Sequence, residues 1–166
     1  ISALDQELAE QEAFLSQKVA NFFGREDSLV LVDEYLAGGG DFPNQPLVIY
    51  GPSGIGKSAL LAKVVERTRS HGFHVVFRFV GATPNSSSSR SLLTSLCQEC
   101  AAASDSRLTF EDQGDPFSDF SLRVAHFLED LRSPIVLVID ALDQLVNNDE
   151  LLWLPENLPP GLKIVI

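Results

Sequence analysis

The sequence is poor in basic residues and in long apolar runs, and each shortage excludes a class of protein. Twelve Lys and Arg stand against 23 Asp and Glu, which gives a formal net charge of −11 over 166 residues. Proteins that bind the phosphate backbone of nucleic acid need basic residues clustered on one face, so we expect no direct contact with nucleic acid. No apolar stretch approaches the roughly 20 residues of a membrane-spanning helix, and no secretory signal is visible. These absences predict a cytoplasmic chain with no membrane partner.

Cysteine and histidine are too sparse for a metal centre built on them. Cys97 and Cys100 fall on one predicted helix without a second pair, and the three histidines lie scattered along the chain. We therefore expect two ordinary buried or half-buried thiols. The chain has no Met at position 1 and stops within the apolar run 162–166. We expect it to be a piece of a longer protein.

The chain does contain enough apolar residues for one continuous core, at 45% hydrophobic. Continuous apolar runs predict buried strands, and amphipathic stretches between them predict helices, one capped by the last serines of the polar loop 82–91. This alternation predicts an α/β fold with a parallel sheet and helices on both faces. Residues 1–21 are interpreted as a lead-in helix and residues 22–166 as the domain itself, in which 147–161 forms a short helix and a loop. The predicted strands are 47–50, 74–80, 135–139 and 163–166.

A glycine-rich bend between the first strand and the next helix carries the most specific motif. Gly51, Gly56, Lys57 and Ser58 satisfy the pattern G-x-x-x-x-G-K-[ST], and Gly54 adds another residue without a side chain. Such a loop turns its N–H groups toward an anion, and the helix that follows offers its positive end to the same anion. Phosphate is the expected occupant, and the alternative is a glycine-rich turn without a ligand. The residues predicted to hold the nucleotide here are Gly51, Pro52, Ser53, Gly54, Ile55, Gly56, Lys57, Ser58 and Ala59.

Four side chains receive predicted roles toward that nucleotide. Lys57 would reach the β and γ phosphates, and the Ser58 hydroxyl would ligate a Mg²⁺ ion that bridges them. Asp140 follows a buried strand, and ligands of parallel sheets gather at the carboxyl ends of strands, so it is the second predicted metal ligand. Its alternative role is to cap the next helix. Asp143 would polarise an attacking water as a catalytic residue together with Lys57, or else be a solvated acid in a first helical turn.

Sequence spacing separates the main classes of phosphate-loop protein. A complete strand and two helices lie between Lys57 and Asp140, and the arginines form no cluster of the kind found in the lid of a small-molecule kinase. An ATPase is therefore favoured over a kinase. No guanine-reading N-K-x-D motif occurs, which favours ATP or ADP.

Four segments together resemble the NACHT-type ATPase domain of the STAND class, especially its telomerase-associated, nephrocystin-like and NACHT–WD-repeat subgroup. The resemblance implies a three-layer P-loop NTPase whose sheet has the order 1-4-3-2 in this chain and 5-1-4-3-2 in the full-length protein. It also implies that Phe23, Gly24 and Arg25 contact the adenine, although Arg25 could equally pair with neighbouring acids. The segments are FFGRED (22–27), YGPSGIGKSALLAKVV (50–65), FRFVGATPNSSSSRSLLTSLCQE (77–99) and PIVLVIDALDQL (134–145).

The chain departs from the NACHT pattern in two ways. Many NACHT domains carry a second acid directly after the position of Asp143, whereas this chain has Gln144, whose amide cannot accept a proton as a carboxylate does. We therefore expect a Mg-dependent ATPase activity that is slow or absent. The resemblance also implies a fifth strand, a helical domain and a winged helix beyond Ile166. Without the fifth strand, the predicted strand 47–50 would lie on an exposed edge of the sheet. The strand 163–166 would lie between 47–50 and 135–139.

These features predict a nucleotide-operated switch within a larger signalling or scaffold protein. ADP would hold the protein closed, ATP would open it, and the open form would self-associate as a homo-oligomer. Protein partners would bind through regions outside this chain. Two alternatives stay open: a turnover ATPase of AAA+ or motor type that uses Asp143, and a scaffold that nucleotide merely stabilises.

Overall fold

Helices and strands alternate along the chain, as the apolar pattern predicts. The computed structural model describes residues 1–84, 86, 88–104, 107–140 and 151–166, and within these residues there are five helices and three strands. The helices are α1 (Ala3–Ala20), α2 (Glu26–Leu36), α3 (Lys57–Ser70), α4 (Ser89–Ala103) and α5 (Phe117–Asp130). The strands are β1 (His74–Phe79), β2 (Ile135–Asp140) and β3 (Leu162–Val165). The predicted α/β class is confirmed.

Two of the helix starts show why these residues begin a helix. Ser2 and Asp5 form a capping box at α1, in which the Asp5 N–H donates to Ser2 Oγ and the Ser2 N–H donates to the Asp5 carboxylate. Ser88 accepts a bond from the Ser91 N–H at the start of α4, which confirms the predicted serine cap. These bonds satisfy amide groups that have no partner within their own helix.

The described strands form one parallel sheet in the order β1-β2-β3. The segment 47–50 differs from the predicted regular strand, since Leu47 alone forms a parallel bridge, to Val165. The Leu47 N–H donates to Ile164 C=O at 2.8 Å, and the Ile49 N–H donates to Ile166 C=O at 2.6 Å. The segment therefore lies along β3 and, among the described residues, forms backbone hydrogen bonds only on the side that faces β3. It leaves the sheet where the glycine-rich loop begins.

Each face of the sheet is covered by helices and has its own hydrophobic core. Val75, Phe77 and Phe79 of β1 point to the face covered by α1, α2 and α3. The alternate residues, such as Val76 of β1 and Leu137 of β2, point to the face covered by α4 and α5. This period-two division explains why the strands are apolar throughout, because both faces of a doubly covered sheet are buried.

The second core also includes the cysteines and part of the chain before β3. Cys97 and Cys100 are fully buried, and burial raises the pKa of Cys100 to about 12 and that of Cys97 well above its usual range. The expectation of buried thiols is confirmed. Trp153 and Leu158 are buried in the same core. Of the segment 147–161, predicted as a short helix and a loop, residues 147–150 lie outside the described residues. Residues 151–161 contain turns and no helix, and their prolines lack the N–H group that a helix needs.

None of the helices in the described ranges combines the length and the apolar character that crossing a membrane requires.

Candidate functional site

The loop before α3 has the backbone geometry of an anion cradle. Gly54 and Gly56 adopt left-handed conformations, with φ of +80° and +91°, which residues with a side chain rarely adopt. Gly56 is the N-cap of α3, and within the described residues no side chain caps this helix. The first turn of α3 also contains no acidic residue. Its free amide groups and positive helix end are therefore available to a negatively charged group.

Lys57 already faces this loop from the first position of α3. Its ammonium donates to Gly51 C=O at 2.5 Å and to Pro52 C=O at 3.2 Å. The loop residues 52–56 are exposed, while Lys57 and Ser58 are half-buried. The arrangement places one positive charge and one hydroxyl directly beside a solvent-accessible loop, which suits a phosphate and a hard, oxygen-seeking cation.

Strand register places Asp140 level with the start of this loop. Val138 of β2 pairs with Val165 of β3, and Val165 bridges Leu47, so Asp140 stands at the height of Ile49. Within the described sheet, β3 alone lies between β2 and the segment 47–50, and two strand spacings correspond to a separation of about 10 Å. Asp140 is 5% exposed and ends β2. Asp140 therefore lies at the carboxyl end of the sheet, as the phosphate loop does.

The two predicted metal ligands, Ser58 and Asp140, do not contact each other through a hydrogen bond in the described part of the chain. Within the same residues no group of three or more His, Cys, Asp or Glu stands together as a metal site. The donor set is one hydroxyl and one carboxylate, both of which are oxygen ligands of the kind that Mg²⁺ prefers alongside phosphate oxygens. Asp143 and Gln144 lie outside the described residues.

Arg25 reaches the phosphate loop from 30 positions away in the sequence. It is the N-cap of α2, has a left-handed backbone with φ of +59°, and its Nη2 donates to the Ile55 carbonyl. A Cβ at Gly56 would lie 3.9 Å from that nitrogen. Phe23, two residues earlier, is 88% exposed. The predicted adenine-contact segment 23–25 is thus attached to the phosphate loop, and its contact with a base stays a prediction.

Two acids of α2, Glu26 and Asp33, bond to Arg67 and not to Arg25. Glu26 accepts a bond from Arg67 of α3 at 2.9 Å, and Asp33 accepts one from Arg67 Nε at 2.8 Å. These bonds raise the pKa of Arg67, with that to Asp33 as the larger cause. Arg67 therefore ties α2 to α3, and the Arg25 guanidinium is directed to the loop.

Two polar residues of α1 are buried although their sequence pattern did not predict it: Glu7 and Gln11 are 3% and 1% exposed. Gln11 exchanges hydrogen bonds with the backbone of Phe79, and Glu7 accepts bonds from Thr83. The helical period could have indicated their burial, because positions 7 and 11 lie on the same helix face as Leu15. Hydropathy alone assigns such residues to solvent.

Comparison with known proteins gives a consistent family assignment. A family profile described as an ATPase domain predominantly from Archaea matches residues 22–158. The chain is 32% identical to human NACHT and WD repeat domain-containing protein 2 over 94% of its own length. It is 31% identical to human NACHT domain- and WD repeat-containing protein 1 over 91%, and 29% identical to nephrocystin-3 of Xenopus tropicalis over 75%.

The chain spans about a tenth of the length of these relatives, since it covers 10% of each. No solved structure matched the chain.

Proposed function

We propose that this chain, which belongs to the family of ATPase domains described as predominantly archaeal, binds ATP or ADP with Mg²⁺ at residues 51–59. Its relatives show that it is a NACHT-type P-loop ATPase domain. The observation that carries the proposal is the left-handed turn at Gly54 and Gly56, which leads into the start of α3, where no described side chain caps the helix. A cluster of free amides at a positive helix end favours a polyphosphate over a neutral ligand.

Within this site the side chains divide the work by their chemistry. The Lys57 ammonium would neutralise phosphate charge, and the backbone amides of the loop would orient the phosphates. Ser58 and Asp140 would hold Mg²⁺, which supplies further neutralisation of the β and γ phosphates when bound. Arg25, attached to the loop at Ile55, would place Phe23 and Gly24 beside the base.

A nucleotide titration with matched lysine variants tests the proposal. The parent chain, Lys57→Ala and Lys63→Ala are compared by calorimetry and thermal unfolding with Mg-ATP and Mg-ADP. Lys63 is a suitable control because it lies on α3 but pairs with Glu66 at the surface. At 100 times Kd the parent should gain about 2.7 kcal/mol, which raises its Tm by roughly 5–10 °C. Lys57→Ala should weaken binding at least tenfold, and Lys63→Ala should not. A folded parent chain that binds neither nucleotide would refute the proposal.

We further propose that nucleotide state operates a switch in a larger cytoplasmic protein. The names of the relatives indicate WD-repeat regions beyond the shared domain, and the chain spans a tenth of their length. Exchange of ADP for ATP would change the conformation around the loop and favour self-association. The test is the oligomeric state of a full-length protein, measured by light scattering with each nucleotide. The same mass with ADP, with ATP and without nucleotide would overturn the switch.

The ATPase description of the family supports turnover as a second function. Asp143 is the proposed residue that polarises water, and Gln144 beside it argues for slow hydrolysis. Steady-state phosphate release should fall in Asp143→Asn while nucleotide affinity is retained. Unchanged release in that variant would remove Asp143 from the role.

A further inference from the structure

A side chain of α1 bonds to the outer edge of β1 at the last residue of that strand, Phe79. β1 is the last strand on its side of the described sheet, so the outward backbone groups of Phe79 have no strand partner there. Gln11 supplies one: the Phe79 N–H donates to Gln11 Oε1 at 2.8 Å, and Gln11 Nε2 donates to Phe79 C=O at 3.3 Å. The glutamine amide thus reproduces the pair of bonds that a neighbouring strand would make.

One helical turn earlier, Glu7 holds the loop that follows β1. Its two carboxylate oxygens accept bonds from Thr83 Oγ1 at 2.9 and 2.7 Å, and Oε1 also accepts from Gln11 Nε2 at 3.0 Å. Thr83 and Ser86 in turn bond to each other's backbone N–H groups through their hydroxyls, at 3.0 Å each. Glu7 and Gln11 therefore fix both the end of β1 and the turn beyond it.

That end of β1 is directly connected to Asp140. Phe79 pairs in register with Asp140 across the ladder. The Val80 N–H then donates to the Asp140 carbonyl at 3.4 Å. Gln11 therefore bonds to one side of Phe79, and Asp140, the predicted magnesium ligand, pairs with the other side. A shift of Phe79 along or away from the sheet would be passed to Asp140 through the ladder.

Burying a carboxylate and an amide costs free energy unless both are bonded, and apolar side chains would cover the same face without that cost. The buried polar pair instead specifies one register of α1 against β1, which an apolar contact would leave less defined. We propose that Gln11 and Glu7 are positioning residues of the nucleotide site, which set the end of β1 and thereby the placement of Asp140 toward Mg²⁺. The inference rests on the proposed function and extends it to a helix that precedes the matched family region 22–158.

The test measures how strongly Mg²⁺ improves ATP binding. ATP affinity is determined by calorimetry with Mg²⁺ and with EDTA for the parent, for Gln11→Leu and for Gln17→Leu, an exposed glutamine on the same helix. We expect Gln11→Leu to reduce the ratio of the two affinities at least threefold while the affinity in EDTA changes less than twofold. Gln17→Leu should match the parent in both conditions.

A second pair of variants keeps the test valid if Gln11→Leu fails to fold. Thr83→Val removes the hydroxyl that Glu7 accepts from, whereas Thr83→Ser keeps it. The ratio should fall in Thr83→Val and be restored in Thr83→Ser. Equal loss of both affinities, or an unchanged ratio in every folded variant, would overturn the inference and leave the proposed function intact. Absence of ATP binding by the parent would refute the proposed function and this inference together.

Discussion

The buried arginine of β1 gives a sharp test of how the sheet is joined to α4. Arg78 is 1% exposed, and its Nη1 donates to the Glu99 carboxylate at 2.7 Å. Its Nε donates to Ser95 Oγ at 3.1 Å, while Nη2 has no hydrogen-bond partner among the described residues. Glu99 is 19% exposed. Its carboxylate is thus the anion that compensates a buried cation.

Removing that carboxylate should cost more than an ordinary surface change. Breaking a fully buried ion pair from one side costs about 3–5 kcal/mol, and water can reach the partly exposed Glu99 position, so we expect about 2–3 kcal/mol for Glu99→Ala. For a chain of this size that loss lowers Tm by roughly 5–10 °C. The double variant Arg78→Met, Glu99→Ala removes both charges and should recover at least half of the loss, since apolar replacement of a buried pair is close to neutral.

Urea unfolding followed by circular dichroism measures these differences. The free energy of unfolding is taken from the midpoint and slope, and an unchanged slope indicates that the unfolded state is unaltered. Glu129→Ala is the control, because Glu129 lies exposed on α5 and should change stability by less than about 0.5 kcal/mol. The reasoning is refuted if Glu99→Ala costs no more than that control, or if the double variant is no more stable than Glu99→Ala.

Three further predictions concern pH, the phosphate loop and the thiols. The hydrogen bond from Arg123 lowers the pKa of Asp115. Because the folded-state pKa lies below the unfolded one, the stabilisation is complete above about pH 4 and is lost as pH falls through the folded value. Below that pH the urea midpoint of Asp115→Asn should therefore fall less steeply than that of the parent. The same pH dependence in both proteins would contradict this prediction. Gly56→Ala should cost about 1–2 kcal/mol in urea unfolding because of its left-handed φ, whereas equal stability would argue against that turn. Cys97 and Cys100 should resist an aromatic disulfide reagent at mildly alkaline pH in the native protein and both react in urea; rapid native reaction would show that they are accessible.

The positions of β1, β2 and β3 and of the phosphate loop could be predicted from the sequence because each is encoded locally. Continuous apolar runs and the glycine spacing at 51–56 are readable within a few residues. The single bridge at Leu47 was not predicted, since whether an apolar run becomes a regular strand depends on partners on both sides. The bond from Arg25 to Ile55 joins two left-handed or glycine-rich turns, and no sequence pattern specifies such a pairing.

The polar face of α1 could not be predicted for a different reason. Hydropathy ranks Glu7 and Gln11 with solvated residues, and their burial is compensated by Thr83 and Phe79, more than 60 positions away. The partners become visible only once the helix is placed against β1.

The bonds between Gln11 and Phe79 also affect how this domain can be exchanged between proteins. The family profile begins at residue 22, after α1 has ended. A chimera joined at that boundary would place the N-terminal segment of another protein against this sheet. That segment would in general lack a glutamine at the position of Gln11. A junction placed before Ser2 would transfer the helix together with the strand that it completes.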